Sequence, residues 1–143
     1  MIELEILGFE LACEQADAAA SSRADRLPAP EEMRRLCTLA AASAGVHDGH
    51  VAIEFVGEAR ISELNARYRG RPRATDVLSF PIDGATPPHG ARELGDVVIC
   101  PAQTADVREA IVHGVLHLLG MDHETDDGEM LALQRELLAG EAS

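Results

Sequence analysis

Between Val107 and Leu119 the chain carries apolar residues nearly all the way round a helix. Val107, Ala110, Ile111, Val112, Val115, Leu116, Leu118 and Leu119 leave no wide polar face. A helix of this kind has to be enclosed by the rest of the protein. Thr104 has the chemistry of its N-cap, Asp106 and Glu109 suit its positive end, and Gly120 stops it. The chain has 143 residues, enough for one domain that encloses such a helix. Folded chains of about this length hide roughly 70% of their unfolded surface.

The other elements follow from period and punctuation. Ile2, Leu4 and Ile6 alternate with Glu3 and Glu5 as a half-buried strand. Residues 13–29 are polar and rich in Ala and Ser, which predicts a loop. Pro30 opens a helix through Met33, Leu36, Cys37 and Ala40, and Gly45 ends it. Val51, Ile53 and Phe55 alternate as a second strand. Ile61, Leu64 and Tyr68 predict a short amphipathic helix closed by Gly70. Asp76 to Phe80 predicts a third strand stopping at Pro81, and residues 82–93 a loop. Val97, Val98 and Ile99 lie in a fourth strand halted by Pro101. Asp126 and Glu129 resemble a capping box for a last helix through Met130, Leu133 and Leu137. The order β-α-β-α-β-β-α-α predicts one α+β domain over residues 1–143. Its sheet is small, mixed and four-stranded, with helices packed on it and the apolar helix at the centre.

Composition excludes several classes. No run approaches the ~20 apolar residues of a membrane span. The acidic start, Met1-Ile2-Glu3, predicts no secretory signal. Cys13, Cys37 and Cys100 are odd in number and widely spaced, as in reduced cytoplasmic proteins. The net charge is −13, and every base is Arg. Taken whole, that argues against non-specific binding to membranes or nucleic acid, DNA included. Yet residues 59–75 hold Arg60, Arg67, Arg69, Arg71 and Arg73 with one acid, Glu63. This strip reads either as contacts to a polyanion or as solvated turn residues.

Within the apolar helix stand His113 and His117, and His123 follows Gly120. A separation of four residues is about 400° of rotation and ~6 Å of rise, so both imidazoles share a face. A lone histidine on an apolar face ordinarily bonds to a buried carbonyl or carboxylate. Two at this spacing, with a glycine able to turn the chain and return a third, suit a divalent metal. Three histidines leave a coordination position open, as at catalytic sites; a structural zinc is the alternative, but no fourth Cys or His stands close in sequence. Asp122 suits a supporting carboxylate better than a ligand. The same spacing occurs in the metallopeptidases with the H-E-x-x-H-x-x-G-x-x-H pattern, whose Glu is the general base. Here that position is Gly114.

The segment His113–His123, HGVLHLLGMDH, resembles the signature of the YbeY family, bacterial endoribonucleases of ribosomal RNA maturation. Asn65-Ala66-Arg67-Tyr68-Arg69-Gly70, Thr75-Asp76-Val77-Leu78-Ser79-Phe80-Pro81 and Leu94-Gly95-Asp96-Val97-Val98-Ile99-Cys100 resemble further segments of the same family. The resemblance implies that His113, His117 and His123 bind one divalent metal, usually taken to be zinc. It implies that Arg69 is the functional arginine of the cleft. It also implies a single-stranded RNA substrate, the precursor of small-subunit (16S) ribosomal RNA cleaved at its 3′ end, and a part in ribosome quality control. Partners would be the small subunit and its assembly factors. Two features depart from the pattern. Only twelve residues, Pro101 to Val112, separate the fourth strand from His113, where many relatives have about twice that. Met121 stands where Tyr is commoner.

The chemistry of the residues agrees with phosphodiester hydrolysis. A metal on neutral ligands can acidify water or polarise a phosphoryl oxygen. Arg69 can fork onto two phosphate oxygens, and Arg67, Arg71 and Arg73 can follow the RNA backbone. Asp76 and Asp96 suit turns and strand ends better than proton transfer. Two other readings stay open: a different metal-dependent hydrolase, and a non-catalytic, metal-stabilised ribosome-assembly factor.

Overall fold

Alternating apolar and acidic residues open the chain as strand β1 (Ile2–Leu7). Then follow α1 (Phe9–Asp17), α2 (Pro30–Ser43), β2 (Gly49–Phe55), α3 (Glu58–Arg69), β3 (Val77–Pro81) and β4 (Glu93–Ile99). A 3-10 turn at Pro101–Gln103, α4 (Val107–Leu118) and α5 (Glu129–Ala142) complete the order. This is a computed structural model, and it describes residues 2–17, 27–83, 92–121 and 128–142. The strands form one sheet in the order β1-β2-β4-β3. β1 and β4 run parallel to β2, and β3 runs antiparallel to β4. The result is the α+β arrangement with a mixed four-stranded sheet that the patterning predicts.

Side chains alternate across a strand, so β4 feeds both faces of the sheet. Val97 and Ile99 join the main core with Val51, Ile53, Phe55 and the buried residues of α2 and α4. Val98 and Cys100 join a smaller cluster with Ile61 and Leu64 of α3 and Leu78 of β3. Thus α2 and α4 cover one face and α3 the other. α4 packs against α2, α5, β3 and β4, as its all-round apolar sequence requires. Gly114 sets how close it comes to the sheet. A Cβ there would stand 2.5 Å from Val97 Cγ1 and 3.1 Å from Cγ2. The Ser79 hydroxyl of β3 donates to the Gly114 carbonyl at 2.9 Å. Arg108 donates from Nε and Nη2 to the Glu32 carboxylate at 2.5 and 3.2 Å, fastening α4 to α2.

Some boundaries differ from expectation. Residues 13–17 are helical rather than loop, because α1 uses Phe9, Leu11 and Ala12 as a short apolar stripe against the core. The rest of that expected loop up to residue 26 lies outside the described residues. The N-cap of α4 is Asp106, whose Oδ1 accepts from the Arg108 N–H at 3.0 Å. Thr104 instead donates its hydroxyl to the Cys100 carbonyl at 2.6 Å, engaged by the 3-10 turn. Pro81 is the last residue of β3 rather than its stop, tolerated because β3 is an edge strand. β4 begins at Glu93, where the expected loop ends. Asp126 of the expected capping box lies outside the described residues. All three cysteines are free thiols. Among the described residues no helix is long and apolar enough to cross a membrane.

Candidate active site

α4 carries His113 and His117 one turn apart, both half-buried. His113 is oriented from α5: its Nδ1 donates to Gln134 Oε1 at 2.8 Å. An amide oxygen only accepts, so in the neutral ring the proton sits on Nδ1 and Nε2 presents its lone pair. Gln134 is itself buried, at 4% exposure, so this pairing is held by the packing of α5. His117 Nε2 lies 3.1 Å from His113 Nε2. The rings meet edge to face with centroids 4.7 Å apart. As a hydrogen bond the contact requires His117 to donate. Nitrogens sharing one tetrahedral zinc at ~2.0–2.1 Å stand roughly 3.3 Å apart, so the observed spacing also fits two donors of one ion. His123 lies outside the described residues. Among the described residues no group of three His, Cys, Asp or Glu side chains gathers to hold a metal.

The two imidazoles line a cleft of about 860 Å³ between α4, β3 and the end of α3. Arg69 is the last residue of α3, and Gly70 at φ 69° turns the chain behind it. That turn brings Arg71 to the same cleft as Arg69. Arg67 and Arg73 are exposed and do not belong to its lining. The Arg73 carbonyl accepts from Asn65 Nδ2 at 3.0 Å, so the buried Asn65 anchors the loop after α3. The structure therefore brings together two of the four named arginines with the two described histidines. Met121 lines the cleft beside Gly120, whose φ of 98° takes the left-handed turn that ends the helix.

Of the neighbouring acids, Asp76 lines the cleft and is engaged in local hydrogen bonds. Asp76 Oδ1 accepts from the Val77 N–H at 2.8 Å and from the Thr75 hydroxyl at 3.3 Å. The Asp76 carbonyl accepts from the Cys100 N–H at 2.9 Å. Asp96 is exposed on β4, away from the cleft lining. Gly114, where the metallopeptidases carry their base, faces Val97 and Ser79 of the sheet. A longer side chain there would drive into β4 instead of entering the cleft. Sequence reasoning missed Gln134. The available signal was a polar residue on the apolar stripe of Met130, Leu133 and Leu137.

Comparison with known proteins shows the family. The family model described as Endoribonuclease YbeY matches residues 15–141. A Pseudomonas entomophila protein named Endoribonuclease YbeY is 42% identical over 133 residues, spanning 82% of this chain and 84% of that one. A Clavibacter sepedonicus protein of the same name is 38% identical over 128 residues, spanning 76% and 84%. A solution structure from Thermotoga maritima superposes with a TM-score of 0.52 at 25% identity, covering 99% of this chain and 89% of its own. With a family match over nearly its whole length and relatives this similar, the chain belongs to the YbeY family.

Proposed function

We propose that this protein is a metal-dependent endoribonuclease that cleaves single-stranded RNA. Its substrate is the precursor of small-subunit ribosomal RNA, trimmed at its 3′ end, and the same activity serves ribosome quality control in the cytoplasm. The small subunit and its assembly factors are its partners. The observation that carries this reading is the pair of facing imidazole nitrogens on a cleft that also receives Arg69 and Arg71, in a chain of this family.

His113, His117 and His123 would hold one divalent ion, with zinc suited to the nitrogen donor set. When bound, it supplies Lewis acidity toward a phosphoryl oxygen and toward water. The chain's own residues do the rest. Gln134 keeps the His113 lone pair directed to the cleft. The Arg69 guanidinium offers forked donors to two phosphate oxygens and stabilises negative charge developing there. Arg71 adds positive potential at the cleft mouth and counters the acidic surface. The packing of Gly114 against Val97 favours RNA over peptide cleavage, since no carboxylate can be carried at that position without displacing β4.

Purified protein incubated with a defined, unstructured RNA oligomer tests the reading. Internal cleavage is expected, abolished by chelator, restored by added zinc, and absent in His117→Ala. RNA bound but left intact by the metal-loaded protein would favour the non-catalytic assembly factor. Chelator-sensitive cleavage of a peptide with RNA intact would favour a different hydrolase.

A further inference from the structure

We propose that Tyr68 is a stacking platform for a nucleobase of the RNA, seating the base beside the phosphate engaged by Arg69. This rests on the RNA-cleaving reading above. The chain has no Trp, three Phe and one Tyr. Phe55 is in the core at 3% exposure, and Phe9 and Phe80 are half-buried. Tyr68 alone among the four is open, at 59% exposure. A large ring left in water at the last turn of α3 contributes little to the core.

Its position has three further properties. Tyr68 lines the same cleft as His113, His117, Arg69 and Arg71. Phe80 of β3 meets its ring at 5.0 Å between centroids and 69° between planes. A single edge-to-face pair engages at most one face of Tyr68, and the residue stays 59% exposed beside it. Arg69 is adjacent in sequence, and Arg71 follows Gly70. Cations beside an open aromatic ring are the two parts of a single-strand site: the charges take the backbone, the ring takes a base. Stacking needs only the π-face of the ring, so the hydroxyl is dispensable and the preference among bases is weak. A base held here would set which phosphate reaches the histidines.

The chain's single tyrosine makes the test specific. Protein as purified, carrying selectively labelled tyrosine, gives one set of ring resonances. A short 2′-O-methyl RNA oligomer should move them upfield through the ring current of the stacked base, whereas inorganic polyphosphate should not. By anisotropy, Tyr68→Ala should bind the oligomer roughly tenfold more weakly, with Tyr68→Phe within about twofold of the unaltered protein. Oligomer binding with unmoved ring signals and an unaffected Tyr68→Ala variant would overturn the platform and leave the RNA-cleaving reading intact. Equal ring shifts with polyphosphate would also overturn it. An oligomer that does not bind at all would sink both, and the cleavage assay would then fail independently.

Discussion

Two segments meet at the cleft and are built in opposite ways. α4 is enclosed by α2, α5, β3 and β4, and its histidines are oriented by packing and by Gln134. The stretch from Arg67 to Arg73 is exposed along its length, turned by Gly70 and tied down through the buried Asn65. The first arrangement suits donors whose separation has to be held to a few tenths of an ångström. The second suits charges that follow a flexible polyanion. Substitutions in α4 should therefore disturb fold and donor geometry together, whereas those in the arginine segment should disturb activity with the fold intact.

The sharpest break of that contrast is Arg69→Ala. RNA cleavage should fall on the order of 100-fold, the scale of removing one charge-stabilising donor from a transition state. The urea midpoint should stay near that of the unaltered protein. A large loss of stability with proportionate loss of activity would place Arg69 with the structural residues.

Gln134→Ala comes next. Loss of the amide removes the hydrogen bond that sets the orientation and tautomer of His113, so zinc affinity should weaken about 10- to 100-fold, the usual range for such supporting partners. Competition with a chromogenic chelator measures it. Unchanged affinity would remove Gln134 from the site. Gly114→Ala tests the packed side alone. The added methyl meets the stiff, β-branched Val97, and overpacking of this kind costs about 1–3 kcal/mol. Denaturant unfolding should show that loss, and an unaltered midpoint would mean that α4 can shift off β4.

The smallest effects belong to Arg67→Ala and Arg73→Ala, exposed and outside the cleft lining; cleavage should change less than about threefold at moderate salt. A thiol comparison follows the same line. Burial pushes the Cys37 thiol from the ordinary 9.0 up to about 12. It stays protonated in the native state, so alkylation at pH 8 should mark the half-buried Cys13 well before Cys37. Because the folded value is raised, this contribution to stability is complete below pH 9 and is lost as pH rises toward 12. Rapid labelling of Cys37 in folded protein would contradict its enclosure.

How much of this was legible in sequence varies with the range of the interaction. α4 was legible because an apolar stripe on all sides admits one environment. The sheet was legible because β-period and glycine or proline punctuation coincide at Gly57 and Pro101. α1 was not, since its stripe of Phe9, Leu11 and Ala12 is short and runs on from the alternation of β1. Asp106 and Thr104 have equal capping chemistry two residues apart. Only the 3-10 turn, which engages Thr104, separates them. Gln134 meets His113 across 21 positions of sequence, and no local pattern encodes such a contact. Of the arginines, composition marked the strip, but only the structure shows Arg69 and Arg71 on the cleft lining, Arg67 standing elsewhere round α3 and Arg71 following the turn at Gly70.

The proposed metal centre rests on the facing imidazoles of α4. Elemental analysis of protein purified without chelator tests it directly. Close to one equivalent of a divalent metal per chain is expected, zinc foremost, falling to background in the folded His113→Ala/His117→Ala double variant. Equal metal content in the two proteins would contradict it.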